Sequence, residues 1–441
     1  MSALADPAAR SPQIQVTAGN SPHGRMPMTA SCFYVVGAFD RFNYGDVLFA
    51  HLSAQFIRSR WPDAAIHFHS TYSADLRPVG GVKTENLRQL FAKHPGDGDV
   101  VWVAGGDVLV TPWYMMAEHR LPSFAARILN RARRRLLGPE RMNRLVQWHA
   151  GVPNRVPWVF DPETFQGGRP RVVYLATGGQ GVGRYPSNDT AWQARALRRA
   201  SWLSLRDSCS LESVTALTGM SARLMPDSAV LMTDLAEATA EARAARLVAL
   251  APRIGSAWNP GQPYLCLQCG LPYIAGQEDI LAAQIAAVHD RFGLPVVTFA
   301  IGRATGHEDQ VAARRLHARL GARPWLYHAP DDLDIWQIMA LIAGSVGYMG
   351  TSLHGFITAF TFDVPRVGLS PEVKKLRGFA EDWDLPGMPA GVEMANLADA
   401  VGRALGYDRV ALHVRAEAVR TLAREEIAAL GNVLDPDRVG R

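Results

Sequence analysis

A chain of 441 residues with 48% hydrophobic side chains has enough apolar material for two to three domains of ~100–200 residues each. Its 46 basic and 41 acidic side chains leave a formal charge of +5, too small a bias over this length to point to nucleic acid, though it suits anionic ligands or an acidic membrane surface. Four scattered cysteines, Cys32, Cys209, Cys266 and Cys269, exclude a secreted disulfide framework and fit a reducing compartment.

Residues 1–30, rich in Ala, Pro, Ser and Gly and without the apolar core of a signal peptide, read as a disordered leader. No later run reaches the ~20 apolar residues of a membrane span, so a soluble or peripheral chain in the cytoplasm is expected. Order begins with the apolar strand Cys32 to Val36. It breaks at a turn containing Asn43, Gly45 and Asp46 and resumes with helical spacing through Phe49, Leu52 and Phe56. Asn43 and Gly45 tolerate positive φ, and Asp46 can cap the helix while keeping a carboxylate at the edge of a cleft; the plain alternative is a turn with an N-cap. A strand from Ala65 to His69 and a helix from Thr84 to Phe91 lead to the strand Val100 to Ala104. That strand ends in Gly105, Gly106 and Asp107, where glycines let a ligand or another backbone come close.

Residues 121–145 form an arginine-rich amphipathic helix. Arg127, Arg131, Arg133, Arg134, Arg135, Arg141 and Arg144 surround Phe124, Ile128, Ala132 and Leu136, a pattern that suits anionic lipid headgroups or a solvated face covering the domain. Residues 151–171, dense in Pro, Gly and Trp, read as a long lid-like or binding loop. The next strand, Val172 to Thr177, runs into Gly178 and Gly179. The glycine string there lacks both the Walker lysine and an immediate helix, so it licenses only a glycine-lined cleft. A strand from Trp202 ends at Arg206, which can grip a carboxylate or phosphate with two parallel bonds or pair with a neighbouring acid. Asp227 closes the first half.

The organisation expected is a Rossmann-like domain over residues 31–228, a connecting helix and linker over 229–263, a second Rossmann-like domain over 264–410, and a C-terminal helix and tail over 411–441. In the second half, strands and helices alternate from Tyr264 onward, as parallel sheets covered on both faces require. Cys266 and Cys269 lie in a strand pattern and read as packing rather than redox or zinc chemistry. His307 and Asp309 follow a strand and open a helix. Thr351, Ser352 and His354 occupy the turn of a strand-turn-helix-strand unit, where backbone N–H groups converge on anions.

Asn43-Tyr44-Gly45-Asp46, Gly105-Gly106-Asp107, Leu205-Arg206-Asp207 with Ser210, Pro226-Asp227, His307-Glu308-Asp309, Ser352-Leu353-His354-Gly355 through Val364-Pro365, and Lys374, in this order across residues 32 to 385, resemble the polysaccharide pyruvyl transferase family. The resemblance implies two Rossmann-like domains facing a central cleft in a GT-B-like α/β fold. It also implies transfer of the pyruvyl group of phosphoenolpyruvate to sugar hydroxyls as a ketal, in exopolysaccharide or cell-envelope glycan assembly, with the acceptor on the N-terminal side and the donor on the C-terminal side. It assigns the donor to Arg206, Ser352, Leu353, His354 and Lys374. His354 is the candidate acid or phosphate partner, and Asp46 or Asp227 the base or the group that orients the sugar hydroxyls. The acceptor or cleft residues are Asn43, Gly45, Asp46, Gly105, Gly106, Asp107, Gly178, Gly179, His307 and Asp309.

The expected reaction needs phosphoenolpyruvate as donor, no cofactor and no metal. The acceptor is a saccharide, free or lipid-linked, with peripheral membrane contact as a further expectation. One departure stands out: many members carry Arg-Leu-His where this chain has Ser352-Leu353-His354. Where that arginine contacts the donor, the change removes a charge-assisted bond worth ~1.5–3 kcal/mol, so either Lys374, Lys375 or another arginine replaces it or the donor is not phosphoenolpyruvate. Two alternatives follow, a GT-B glycosyltransferase using a nucleotide sugar and a non-catalytic glycan-binding protein on a transferase scaffold.

Overall fold

The computed structural model describes residues 32–118, 124–183, 187–304 and 306–435; the leader predicted for residues 1–30 lies outside them. In chain order the first half contains β1 (Cys32–Val36), α1 (Tyr44–Arg60), β2 (Ala65–Ser70), β3 (Ala74–Asp75), β4 (Lys83–Asn86), α2 (Leu87–Ala92), β5 (Val100–Val103), α3 (Trp113–Glu118), α4 (Phe124–Ala150), β6 (Arg171–Thr177), α5 (Ser187–Arg198), β7 (Trp202–Leu205), α6 (Ser208–Thr218) and β8 (Arg223–Leu224). After α7 (Ala240–Ile254) come β9 (Leu265–Gln268), α8 (Leu271–Ile274), α9 (Glu278–Phe292), β10 (Val296–Thr298), α10 (Asp309–Leu320), β11 (Leu326–His328), α11 (Ile335–Ala343), β12 (Gly347–Gly350), α12 (Leu353–Thr361), β13 (Arg366–Gly368), α13 (Lys374–Trp383), α14 (Leu397–Leu405) and α15 (Arg409–Leu434).

Among the described residues the strands form two sheets, β3-β4-β2-β1-β5-β6-β7-β8 and β11-β10-β9-β12-β13. The central strands are apolar on both faces, as helices on both sides demand: β5 and β7 are wholly buried, as are β9 and β12. Every pairing is parallel except the edge pair β3 with β4. The chain is therefore an α/β protein of two Rossmann-like sheets. In each sheet the strand order reverses beside a central strand, between β1 and β5 in the first and between β9 and β12 in the second. Ligands in open α/β sheets bind at such reversals, outside the carboxyl ends of the strands.

The two sheets meet directly. Asn43 pairs with Gly302 in an antiparallel bridge, Tyr44 N–H donates to Ile301 O at 3.2 Å, and the Arg303 guanidinium lies 3.4 Å over the Phe42 ring. Helix α15 returns from the second half to the first, where Glu426 pairs with Arg223, Arg171 donates to the Leu434 carbonyl and Arg424 holds Asp234 at 2.6 Å. Helix α13 also meets α6: Asp382 accepts from Ser208 N–H at 2.7 Å and from its hydroxyl at 2.5 Å, and Trp383 Nε1 donates to Arg206 O at 2.8 Å.

Three local expectations change. The helix predicted over Thr84 to Phe91 is strand β4 followed by α2, because Asn86 and Gln89 form a reciprocal capping box that starts the helix only at Leu87. The stretch 151–171 is no lid: Val156, Trp158, Val159, Phe160 and Phe165 are buried in the core beside β5 and β6, and Trp113 Nε1 donates to Asn154 O at 2.8 Å. The arginine-rich helix expected over residues 121–145 runs from Phe124 to Ala150, residues 121–123 lying outside the described ones, and kinks at Gly138, where φ is 78° and Pro139 follows.

Candidate active site

The first turn of α1 carries the N-terminal part of the site. Asn43 occupies the N-cap position in extended conformation and Gly45 is helical, so neither uses the positive φ expected of them. Gly45 is small for another reason. A Cβ there would lie 1.9 Å from Cγ and Nδ1 of His354, so the imidazole of the second half packs flat on the glycine of the first. Asp46 is not the cap either. It sits two residues inside the helix with its carboxylate toward Gly106, where a Cβ would meet Oδ1 at 3.4 Å. Burial pushes the Asp46 carboxyl up to about 6, with Arg41 and Lys375 opposing.

Gly105 and Gly106, at the end of β5, both have positive φ (101° and 84°), which lets the chain turn sharply into Asp107. Asp107 meets Arg206 from the end of β7, and Lys375 Nζ at 3.4 Å. Arg206 is 3% exposed and also bonds Asp227 at 3.3 Å, with Asp207 at 3.6 Å from its Nε. Burial works against the Arg206 charge, yet Asp107, Asp227 and Asp207 outweigh it and raise its pKa. Burial likewise opposes ionisation of Asp107, and Arg206 with Lys375 reverses this, holding the carboxyl well below the usual range. Asp227 caps the turn that follows it by accepting from Ala229 N–H at 3.0 Å; its burial raises its pKa against the pull of Arg206. Of the two outcomes open for Arg206, the arrangement is the ion-paired one. A Cβ on Gly178 would lie 2.3 Å from Asp107 Oδ1 and 2.9 Å from Arg206 Nη2, so this glycine makes room for the pair. Gly179 N–H is held by the Ser210 hydroxyl at 2.8 Å.

The second half contributes α12. Ser352 caps it, accepting from Gly355 N–H at 3.2 Å, and its own N–H donates to Gln268 Oε1 at 2.9 Å. The caps leave the N–H groups of Leu353 and His354 at the mouth of the helix. The His354 ring meets the edge of Phe49 at 5.2 Å, and Nε2, buried without a hydrogen-bond partner, stands 3.9 Å from the Asp227 carboxylate. Burial, then Arg206 and Lys375, push the imidazole down to about 3, so it is neutral at physiological pH. His307 and Asp309 line the same cleft with Asn43, Gln268, Ser352, Leu353, His354 and Lys375. Asp309 has a structural task as well: one oxygen accepts from Ile301 N–H, Gly302 N–H and Gln268 Nε2, closing the turn after β10. The cleft encloses about 40 Å³, room for a few waters.

Lys374 does not reach this cleft. It is exposed, and the lysine that enters is Lys375. Gln268 was also missed; it links Asp309 to the start of α12 from the end of a buried strand. Among the described residues no group of three or more metal-ligating side chains occurs.

The polysaccharide pyruvyl transferase family model matches residues 168–372. This is a shorter span than the 32 to 385 over which the motifs were ordered, so Asn43 to Asp107 join the site through geometry. Comparison with curated proteins returns no match. Among solved structures, the N-terminal domain of trehalose-6-phosphate phosphatase from Candida albicans is similar at 9% identity over 94% of this chain and 98% of that one, with a TM-score of 0.52. The Anabaena protein HepE, solved with UDP and glucose, is similar at 12% identity over 91% and 99%, with a TM-score of 0.50. At these identities the likeness concerns the fold. The matched segment runs from β6 through β13 and holds Arg206, Asp227 and His354, and over it this chain is similar to the polysaccharide pyruvyl transferase family.

Proposed function

We propose that this chain moves the pyruvyl group of phosphoenolpyruvate onto two hydroxyls of a saccharide precursor, as a ketal, at the cytoplasmic stage of exopolysaccharide or envelope glycan assembly. The observation that carries the reading is the partnerless Nε2 of a neutral, buried His354 beside the open N–H groups of α12, with Lys375 poised at the same cleft. The donor is a small polyanion, and these groups suit it. Backbone N–H groups at a helix start and an ammonium hold phosphate or carboxylate without requiring exact orientation. Lys375, on a flexible stem and half-exposed, takes the place of the arginine that Ser352 lacks. Arg206 is a positioning residue in this reading: its charge holds Asp107 and Asp227 in place.

The chemistry then follows from proton balance. A sugar hydroxyl adds to C2 of the enol phosphate, losing its proton to a base while C3 gains one; phosphate leaves with its C–O electron pair; a second hydroxyl closes the ketal at C2 and gives up its proton. Asp46 is the better base of the two candidates, since Asp227 is already committed to Arg206 and Ala229 N–H. Burial first, then Arg206 and Lys375, keep His354 neutral; a donor anion that engages Lys375 offsets the last of these and raises the proton affinity of His354, in the direction an acid needs. A cavity of about 600 Å³ lined by Tyr72, Ser73, Asn86, Arg88 and Trp113 lies at the carboxyl ends of β2 and β4 and suits the acceptor.

The test is a thermal-shift titration with phosphoenolpyruvate and, in parallel, UDP-glucose, followed by phosphate release with a panel of p-nitrophenyl glycosides. Stabilisation by phosphoenolpyruvate, with phosphate release abolished in a folded His354→Ala, supports the reading. Stabilisation by UDP-glucose alone would replace it with a glycosyltransferase.

A further inference from the structure

Helix α4 lies outside the residues matched to the family, and its outward surface is unlike the rest of the molecule. Of the thirteen large hydrophobic side chains exposed among the described residues, six belong to this one helix: Ile128, Leu129, Leu136, Leu137, Leu145 and Trp148. Leu136 is 85% exposed and Trp148 75%. They are not scattered. Before the kink, Asn130 is buried and Arg134 is spent on the Tyr114 ring at 5.2 Å and Glu118 at 3.6 Å, which fixes the inward face. Ile128, Ala132 and Leu136, at i, i+4 and i+8, therefore share the opposite face. Arg135 flanks that stripe on one side and Arg133 on the other. After the kink Met142 and Asn143 are buried, and Arg141, Arg144, Leu145 and Trp148 point to solvent.

The charge is as concentrated as the apolar surface. Residues 124–150 hold seven arginines and one glutamate, a net +6 in a chain whose total is +5, so the remainder is close to neutral. An apolar stripe edged by guanidinium groups, with a tryptophan at the boundary, matches the layered chemistry of a bilayer surface: acyl chains beneath, anionic headgroups at the rim. The helix lies on such a surface rather than through it, for no helix among the described residues is long and apolar enough to cross a membrane. We propose that the outward face of α4 docks this protein onto a membrane surface carrying anionic lipid. Leu145, Val146, His149 and Ala150 also wall the 600 Å³ cavity, so docking would set the mouth of that cavity beside the headgroups.

The experiment is flotation of the full chain with vesicles of phosphatidylcholine alone and of phosphatidylcholine with phosphatidylglycerol at 3:1, at low and high NaCl. The expected result is capture by the anionic vesicles only, weakened at high salt. Capture should be lost in Ile128→Glu/Leu136→Glu and reduced at least tenfold in Arg133→Glu/Arg135→Glu, with thermal midpoints close to wild type because these side chains are exposed. Failure of the wild-type chain to float, flotation unaffected by both double variants, or light scattering that shows Leu136→Glu converting a dimer to a monomer would each overturn the proposal, the last by assigning the face to a second copy of this chain.

Discussion

Gly45→Ala tests the site through one methyl group. In an ordinary helix this change stabilises by about 1 kcal/mol, since glycine is the costlier residue there and Gly45 already has helical φ. Here the new Cβ would fall 1.9 Å from the imidazole of His354, and the ring must retreat by at least ~1.1 Å to reach the shortest contact that close-packed interiors tolerate. Phe49 stands on another side of that ring, 5.2 Å between centroids, which limits the directions open to it. Overpacking of this kind costs about 1–3 kcal/mol, so the helix gain and the clash leave a net loss of roughly 0–2 kcal/mol. The effect on turnover should be far larger, because displacing a reacting group by about 1 Å can cost on the order of 100-fold. The assay is phosphate release from phosphoenolpyruvate with the glycoside panel, alongside urea denaturation. A variant with wild-type turnover would refute the placement of His354 in the reaction. Turnover lost in proportion to lost stability would refute the positioning argument.

Three further outcomes follow from the same geometry. Lys375→Met should weaken phosphoenolpyruvate binding about tenfold by calorimetry, a solvent-screened fraction of a charge-assisted bond, while Lys374→Met should leave it unchanged. Arg206→Met should lower unfolding stability by about 3 kcal/mol or more, since it strands the fully buried Asp227 and leaves Asp107 with Lys375 alone; a loss below 1 kcal/mol by urea denaturation would contradict the cluster's structural role. With Asp46 as base, kcat/KM should fall tenfold per pH unit below about 6, and Asp46→Asn should remove that limb along with most activity. The two buried groups act oppositely on stability. The raised Asp46 pKa favours the folded state as pH falls from about 6 toward 4, whereas the depressed His354 pKa disfavours it as pH falls from about 6.5 toward 3. His354→Asn should therefore be less acid-sensitive than the wild type in a pH series of thermal midpoints.

The alternation of short apolar runs with helical periods made the two parallel sheets legible, because a doubly covered strand has no polar face to hide its pattern. The turns at the strand ends were legible as well, and most of them converge. What a linear reading misses is which chemistry each neighbour has already claimed. Arg206 at a strand end looks free to bind an anion until Asp107, about a hundred residues earlier, is seen to take its guanidinium. Gly45 looked like a turn glycine, and only the distant His354 ring explains its size. The choice of Lys375 over Lys374 was within reach. Lys375, Phe379 and Trp383 share one i, i+4, i+8 stripe, and burial of Phe379 and Trp383 turns that stripe inward. Stretch 151–171 misled because proline and glycine signal a loop without revealing that its aromatics are buried.

The two edges of the cleft are built unequally. Along one edge α15 holds Asp363 and Thr361 of the second half through its earlier turns and Arg223 and Asp234 through its later ones. Along the other, Ser208 meets Asp382 through two bonds, Trp383 meets Arg206 O and Lys375 meets Asp107. Parting of this second edge would widen the cleft beside His354 and Lys375 while α15 keeps the halves joined. Beside the Asn43–Gly302 bridge and the Tyr44–Ile301 bond that also join the halves, these four polar contacts contribute a net ~1 kcal/mol each. Two of them involve Arg206 and Asp107, so the edge that parts also belongs to the ion cluster. The resulting limit on turnover would be mechanical, a gate whose frequency responds to solvent viscosity while the chemical step does not.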